Sequence, residues 1–214
     1  MSRTPVVFFD LDGTLTDPKE GILRCIRYAF DELGAASPDD ADLLGWIGPP
    51  LHNSFAHALG DERAPAALRY YRERFALKGM YENALYSDIP RVLSALRDRS
   101  RRLFVVTSKP TAFAIPIVAH FGISDAFERV YGSELDGRRS DKGELIAYAL
   151  RQESLDPGLV TMVGDRRHDI DGARQNAVRS VGVAWGYGSR RELESADVVC
   201  EAVPELPATL GAAA

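Results

Sequence analysis

Two cysteines in 214 residues, at positions 25 and 200, lack any metal-ligand spacing. Both read as structural thiols, Cys25 standing as a small apolar residue inside a helical pattern. No apolar run is long enough to span a bilayer. The opening Met1-Ser2-Arg3-Thr4-Pro5 enters a strand pattern with no apolar leader, so cytoplasmic residence and no membrane partner are expected. Basic runs are also missing, and the formal net charge is -5. That balance argues against tracking a nucleic-acid backbone and leaves small charged substrates open.

What is present begins at Val6-Val7-Phe8-Phe9, a β-branched and aromatic run that reads as a short buried strand. It leads into Asp10-Leu11-Asp12-Gly13-Thr14. Asp10 and Asp12 are two apart, so they leave a continuing strand on the same face. Gly13 lets the backbone come close to a ligand, and Thr14 can cap the next turn. A plain Asp-Gly turn explains Asp12-Gly13 alone, but not the whole stretch after four apolar residues.

Three later stretches add to the pattern. Leu103 to Val106 is a second buried-strand pattern and runs into Thr107-Ser108-Lys109-Pro110. Val160 to Val163 runs into Gly164-Asp165, with Asp169 four residues on, and Lys142 opens an amphipathic helical pattern between them. In an open parallel sheet, ligands bind beyond the carboxyl ends of the strands, where these groups could converge.

Helix and strand signals alternate after residue 86, the signature of a βαβ architecture. Helices are expected over 89–99, 110–121, from 142 and from about 169. Strands are expected over 102–107 and near Val130, Val160, Val181 and Val198. Residues 16–86 contain no convincing strand and read as helices over 21–33, 41–46, 51–59 and 64–78. Gly211-Ala212-Ala213-Ala214 reads as a frayed tail.

In this order and context the chain resembles the haloacid dehalogenase superfamily of phosphohydrolases over nearly its whole length. Asp10 and Asp12 look like the first family motif, Thr107 the second, Lys142 the third, and Gly164-Asp165 with Asp169 the fourth. The match is nearest to the phosphoglycolate phosphatase and nucleotidase-like branch, with Gly48-Pro49-Pro50-Leu51 and Ser133-Glu134-Leu135-Asp136-Gly137 adding to it. The resemblance implies an α/β fold: a Rossmann-like three-layer core with a parallel sheet, made of residues 1–15 and 87–214, plus an inserted all-helical cap domain of residues 16–86. It also implies a small phosphorylated metabolite as partner, 2-phosphoglycolate or a nucleoside 5′-monophosphate, handled by a monomer or homodimer.

The same resemblance implies Asp10 as nucleophile, forming an aspartyl phosphate, and Asp12 as the acid and base. Lys142 and Thr107 Oγ would meet the phosphoryl oxygens together with backbone N–H groups around Leu11, Gly13 and Ser108. Four acids would repel a phosphate dianion, since unit charges ~4 Å apart interact by ~4 kcal/mol at an effective dielectric near 20. A divalent cation is therefore expected. With no histidine or cysteine cluster nearby, a hard ion such as Mg²⁺ suits the site. By resemblance Asp10, the Asp12 carbonyl and Asp165 would hold it, with Asp169 a direct ligand or a partner of one.

Other residues have plainer readings. Thr107 could cap a helix. Lys109 reads as a solvated or helix-edge charge, Arg166 and Arg167 as solvated charges, His168 as a surface residue, and Asp141 and Asp171 as acids at helix starts. Tyr70, Tyr71 and Phe75 fit core packing at helical spacing. For specificity the candidates are Pro49 and Asn53 in the stretch from Trp46 to Asn53, then Tyr81, Glu82 and Asn83. A sugar-phosphate phosphomutase would use the same two acids, and a phosphorylation-controlled binding module would share the strand-end acids, hydroxyl and lysine. Dehalogenation leaves Asp12 without a purpose.

Overall fold

A computed structural model describes residues 5–211. Val6–Phe9 (β1) is buried on both faces, as an unbroken run of β-branched and aromatic side chains requires. A tight turn follows, and the chain then leaves through Thr16–Asp17 (β2). The next unit is Pro18–Ala84. Its first helix, Lys19–Glu32 (α1), buries Ile22, Cys25, Ile26, Ala29 and Phe30 at helical spacing. Asp40–Leu44 (α2) starts on the Asp39 carboxylate, which accepts the Asp42 N–H at 2.9 Å. Leu51–Leu59 (α3) and Ala64–Arg74 (α4) complete the bundle.

An aromatic cluster forms the core of this unit. Trp46 meets Phe55 edge-on at 5.4 Å, and Tyr71 stacks on Phe75 at 5.4 Å, so Tyr71 and Phe75 pack the core as their spacing implies. The helix expected over 64–78 does not stay α-helical: Phe75–Gly79 widens into a π-turn. Nor is the region strand-free at its ends. β2 pairs with Ala84–Leu85 (β3) as the chain returns, two residues on each side being too short for any periodic signal.

From there helices and strands alternate: Ile89–Asp98 (α5), Arg102–Pro110 (β4), Thr111–His120 (α6), Arg129–Ser133 (β5), Lys142–Gln152 (α7), Val160–Gly164 (β6), Arg167–Gln175 (α8), Arg179–Val183 (β7), Arg190–Leu193 (α9), Val198–Cys200 (β8) and Leu206–Gly211 (α10). Gly211 thus ends a helix, while the rest of the expected tail, residues 212–214, lies outside the described residues. Six strands make one parallel sheet in the order β5-β4-β1-β6-β7-β8. Helices α7 and α8 cover the face that carries Val6, Phe8, Phe104 and Met162. This sheet and its helices are the Rossmann-like α/β core.

Strand order decides where chemistry can occur. The chain winds outward from β1 through β4 to β5, then crosses back and winds the other way through β6 to β8. The loops after β4 and β6 therefore diverge beside the end of β1, which opens a crevice at the carboxyl edge of the sheet. Among the described residues, no helix is long and apolar enough to cross a membrane.

Candidate active site

The turn after β1 is built on one carbonyl. Leu11 O accepts the N–H groups of Thr14, Leu15 and Thr16 at 3.3, 2.9 and 3.0 Å, while Asp10 N–H is anchored to Val163 O of β6 at 2.9 Å. Gly13 sits in the left-handed region at φ 83°, and a Cβ there would overlap the Asp165 carboxylate. The turn thus needs glycine twice over, for its backbone angle and for the approach of Asp165.

Asp10 is 6 % exposed, and its Oδ1 lies 2.8 Å from Lys142 Nζ. Lys142 opens α7, whose start is capped by Asp141 accepting the Glu144 N–H at 2.9 Å. Its ammonium also reaches Asp169 Oδ1 at 2.7 Å and donates to Val106 O at 3.1 Å. Asp169 lies in the first turn of α8, where its Oδ2 accepts the Arg166 N–H at 3.1 Å. Asp165 Oδ2 accepts the Tyr187 N–H at 2.7 Å, and Thr14 Oγ1 is 3.5 Å from its Oδ1.

Oxygens of Asp10, Asp165 and Asp169 all lie within 4.8 Å of one another, and all three residues are buried. Burial, then the charges of Asp169 and Asp10, pushes Asp165 up to about 8. Asp169 is also raised by burial, against the pull of Lys142. Burial alone would lower the Lys142 ammonium, but Asp10 and Asp169 outweigh it and hold its pKa above the ordinary lysine value. One ammonium among three converging carboxylates leaves an excess of negative charge and only oxygen donors, which fits a hard divalent cation.

Asp12 stands outside that group. Its carboxyl pairs instead with Lys109, whose side chain is 6 % exposed, so Lys109 is a buried ion-pair partner and not a solvated charge. Burial raises the Asp12 pKa, with Lys109 opposing. Thr107 is buried in β4, three residues before the strand ends, and its Oγ1 accepts the Lys109 N–H at 3.3 Å. It caps no helix, because α6 begins four residues later behind Pro110. Ser108 O accepts the Ser133 hydroxyl at 2.8 Å.

Two more plain readings change. Arg166 is not solvated: its side chain is 13 % exposed and its Nε lies 3.0 Å from Glu192 Oε2. Asp171 lies within α8 and not at its start, paired with Arg174 at 2.6 Å. Asp141 does cap its helix, and His168 and Arg167 are exposed. In the 18–84 unit Pro49 is half-buried, Asn53 is exposed on α3, and Tyr81 is half-exposed. Glu82 bridges Arg24 and Arg74 at 3.0 and 2.7 Å, while both amide atoms of Asn83 are buried with no partner among the described residues.

Sequence reasoning missed the segment after β7. A Cβ on Gly186 would overlap Asp165, Tyr187 supplies the N–H that Asp165 accepts, and the Tyr187 phenol is hydrogen-bonded to Asp17. Trp185 Nε1 donates to Thr14 O at 3.1 Å, closing the segment over the Gly13 turn. Trp185-Gly186-Tyr187-Gly188 after a strand was the available signal, since paired glycines mark a close backbone approach.

Residues 7–183 match the family model for haloacid dehalogenase-like hydrolases. The chain is 47% identical over 195 residues to a 5′-nucleotidase of Pseudomonas aeruginosa, covering 90% of this chain and 88% of that protein. It is 41% identical over 184 residues to the tyrosine-protein kinase PtkA of Mycobacterium tuberculosis, covering 86% of this chain but only 63% of PtkA. The crystal structure of a predicted phosphatase from Clostridium acetobutylicum superimposes with a TM-score of 0.92 at 39% identity, covering 98% of this chain and 99% of that one.

Proposed function

The chain belongs to the haloacid dehalogenase-like hydrolases and is a phosphoric monoester hydrolase, and we propose that it is Mg²⁺-dependent and cleaves a small phosphomonoester through an aspartyl phosphate on Asp10. One observation carries the reading: at the carboxyl ends of β1, β4 and β6, Asp10 sits against Lys142 at 2.8 Å within a group of three buried acids, with Asp12 two residues on. The similarity to a 5′-nucleotidase favours a nucleoside 5′-monophosphate, with 2-phosphoglycolate the second candidate.

An oxygen of Asp10 attacks phosphorus as the ester P–O bond breaks, and Asp12 gives its proton to the departing oxygen. Asp12 then takes a proton from water, whose oxygen attacks the same phosphorus and returns Asp10 with inorganic phosphate. Burial favours the protonated Asp12 that the first step requires. Lys142, with Thr107 Oγ1 and the backbone N–H groups of the turn, stabilises charge on the phosphoryl oxygens. A cation held by Asp10, Asp165, Asp169 and the Asp12 carbonyl would supply charge neutralisation.

A phosphate-release screen over nucleoside monophosphates, 2-phosphoglycolate and sugar phosphates tests the function. Stoichiometric free phosphate is expected. An isomerised sugar phosphate would instead make the protein a mutase, and phosphate retained on a protein tyrosine would align it with the activity named for PtkA.

The cation prediction has a defined sign. Without the cation, folded Asp165 keeps its proton up to about pH 8, whereas the unfolded carboxyl loses it near ~4. The folded state then binds more protons across that window, so Asp165 makes stability fall as pH rises through it. Cation binding displaces the proton and removes the penalty. The rise in melting temperature on adding Mg²⁺ should therefore grow toward pH 8 and flatten above it. Chelation should stop turnover, with Mg²⁺ restoring it and Ca²⁺ restoring it poorly. A Mg²⁺ shift that is the same at acid and neutral pH would remove the cation from these acids.

The catalytic groups recognise phosphate, which every candidate substrate shares, so the leaving group has to be selected elsewhere. Residues 18–84, inserted directly after the Asp10–Asp12 turn, are assigned that role as a cap. Asn53→Ala, or alanine for Pro49, should shift kcat/KM between a nucleotide and a small phosphorylated acid by about tenfold while inhibition by inorganic phosphate stays constant. An unchanged substrate ratio in both variants would leave the segment before α3 a connector.

A further inference from the structure

We propose that Lys109 is a positioning residue: it holds one oxygen of Asp12 and so commits the other, Oδ1, to moving the proton of the leaving group. This rests on the phosphatase reading above and adds to it the residue that aims the acid.

The geometry begins in the sheet. β4 pairs with β5 through Thr107 opposite Gly132 and then Pro110 opposite Ser133, so Ser108 and Lys109 are extra residues on one side of the ladder. Such a bulge re-aims the side chains it contains. It is tied down by Lys109 N–H on Thr107 Oγ1, by the Ser133 hydroxyl on Ser108 O, and by the Thr111 hydroxyl donating to Ser133 O at 3.3 Å. From this bulge Lys109 Nζ reaches Asp12 Oδ2 across 97 positions of sequence, in a pair that is nearly closed to solvent.

The other oxygen is the telling one. Asp12 Oδ1 is buried and has no hydrogen-bond partner among the described residues. A buried carboxyl oxygen without a partner is costly, and such costs persist where function uses them. A carboxyl held at neither oxygen can rotate and present either; with Oδ2 on an ammonium, only Oδ1 is left to meet the ester oxygen and then the water. Lys142 cannot substitute, because its own partners are Asp10, Asp169 and Val106 O. The two lysines thus divide the site, Lys142 serving the attacking acid and Lys109 the acid that handles the leaving oxygen.

The test compares Lys109→Met with Asp12→Asn in the full chain with Mg²⁺, across esters running from p-nitrophenyl phosphate to simple alkyl phosphates. The p-nitrophenyl leaving group needs little protonation, whereas an alkoxide needs it fully. Lys109→Met should lower kcat/KM for alkyl esters by about 30-fold or more and for p-nitrophenyl phosphate by less than about threefold, with phosphate inhibition unchanged. Lys109→Arg, which keeps a cationic donor, should recover much of the alkyl-ester rate. Equal losses at every leaving group, or no loss at any, would overturn the inference. If Asp12→Asn also loses rate equally across the series, the acid–base reading itself is at fault; if only Lys109→Met does, that reading stands and this one fails. Should Lys109→Met not fold, Lys109→Gln is read by the same criteria.

Discussion

Asp10→Asn should abolish turnover, by about 10⁴-fold or more, while the fold survives. The amide keeps the shape of the carboxyl and can still face Lys142, whose Nζ lies 2.8 Å from Oδ1, but it carries no charge with which to attack phosphorus. The variant also removes one of three converging acids, so it relieves repulsion on Asp165 and Asp169 and should not unfold the core. Phosphate release together with a thermal melt checks both halves. Activity within tenfold of the parent, in protein free of deamidated material, would take the nucleophile role away from Asp10.

Lys142→Met should damage stability as well as rate. Its ammonium is buried between Asp10 and Asp169, and removing one partner of a buried charge pair costs about 3–5 kcal/mol because the remaining charge is left uncompensated. Methionine is unbranched, so the loss is mainly of charge and not of volume. In chelated protein the deficit should widen as pH rises, since burial already favours the protonated forms of Asp165 and Asp169 and the variant leaves their charged forms without the ammonium. Mg²⁺ should recover part of the stability, but kcat/KM should stay down by about 10³-fold because the phosphoryl oxygens have lost a preorganised cation. Lys142→Arg should rescue poorly, the planar fork being too broad for a slot shaped by Asp10, Asp169 and Val106 O. Urea denaturation at several pH values is the measurement; wild-type stability with near-normal turnover would show that these carboxylates need no lysine.

Residues far apart in sequence explain why part of this site was hidden. Asp10 and Asp12 stood out because a β-branched run, a glycine and a hydroxyl are local signals of a strand running into a turn. Lys109 carried no such signal. Its burial depends on a bulge against β5, and nothing in Thr107-Ser108-Lys109-Pro110 states which strand will lie beside it. Arg166 likewise looked solvated beside Arg167, and only the packing of α9 brings Glu192 to one of the two arginines.

By itself the sequence determined the alternation of helices and strands, the helical character of most of residues 18–84 and the strand-into-turn character of DLDGT. Each of these follows from side-chain periodicity, capping and backbone freedom over a few residues. Tertiary structure alone decided which lysine serves which acid, Lys142 reaching Asp10 over 132 positions and Lys109 reaching Asp12 over 97. It also decided that the backbone at Tyr187 holds Asp165. The physical reason is that ion pairing and burial depend on strand order and register, and a parallel sheet sets both through crossovers whose contacts leave no local pattern in the chain.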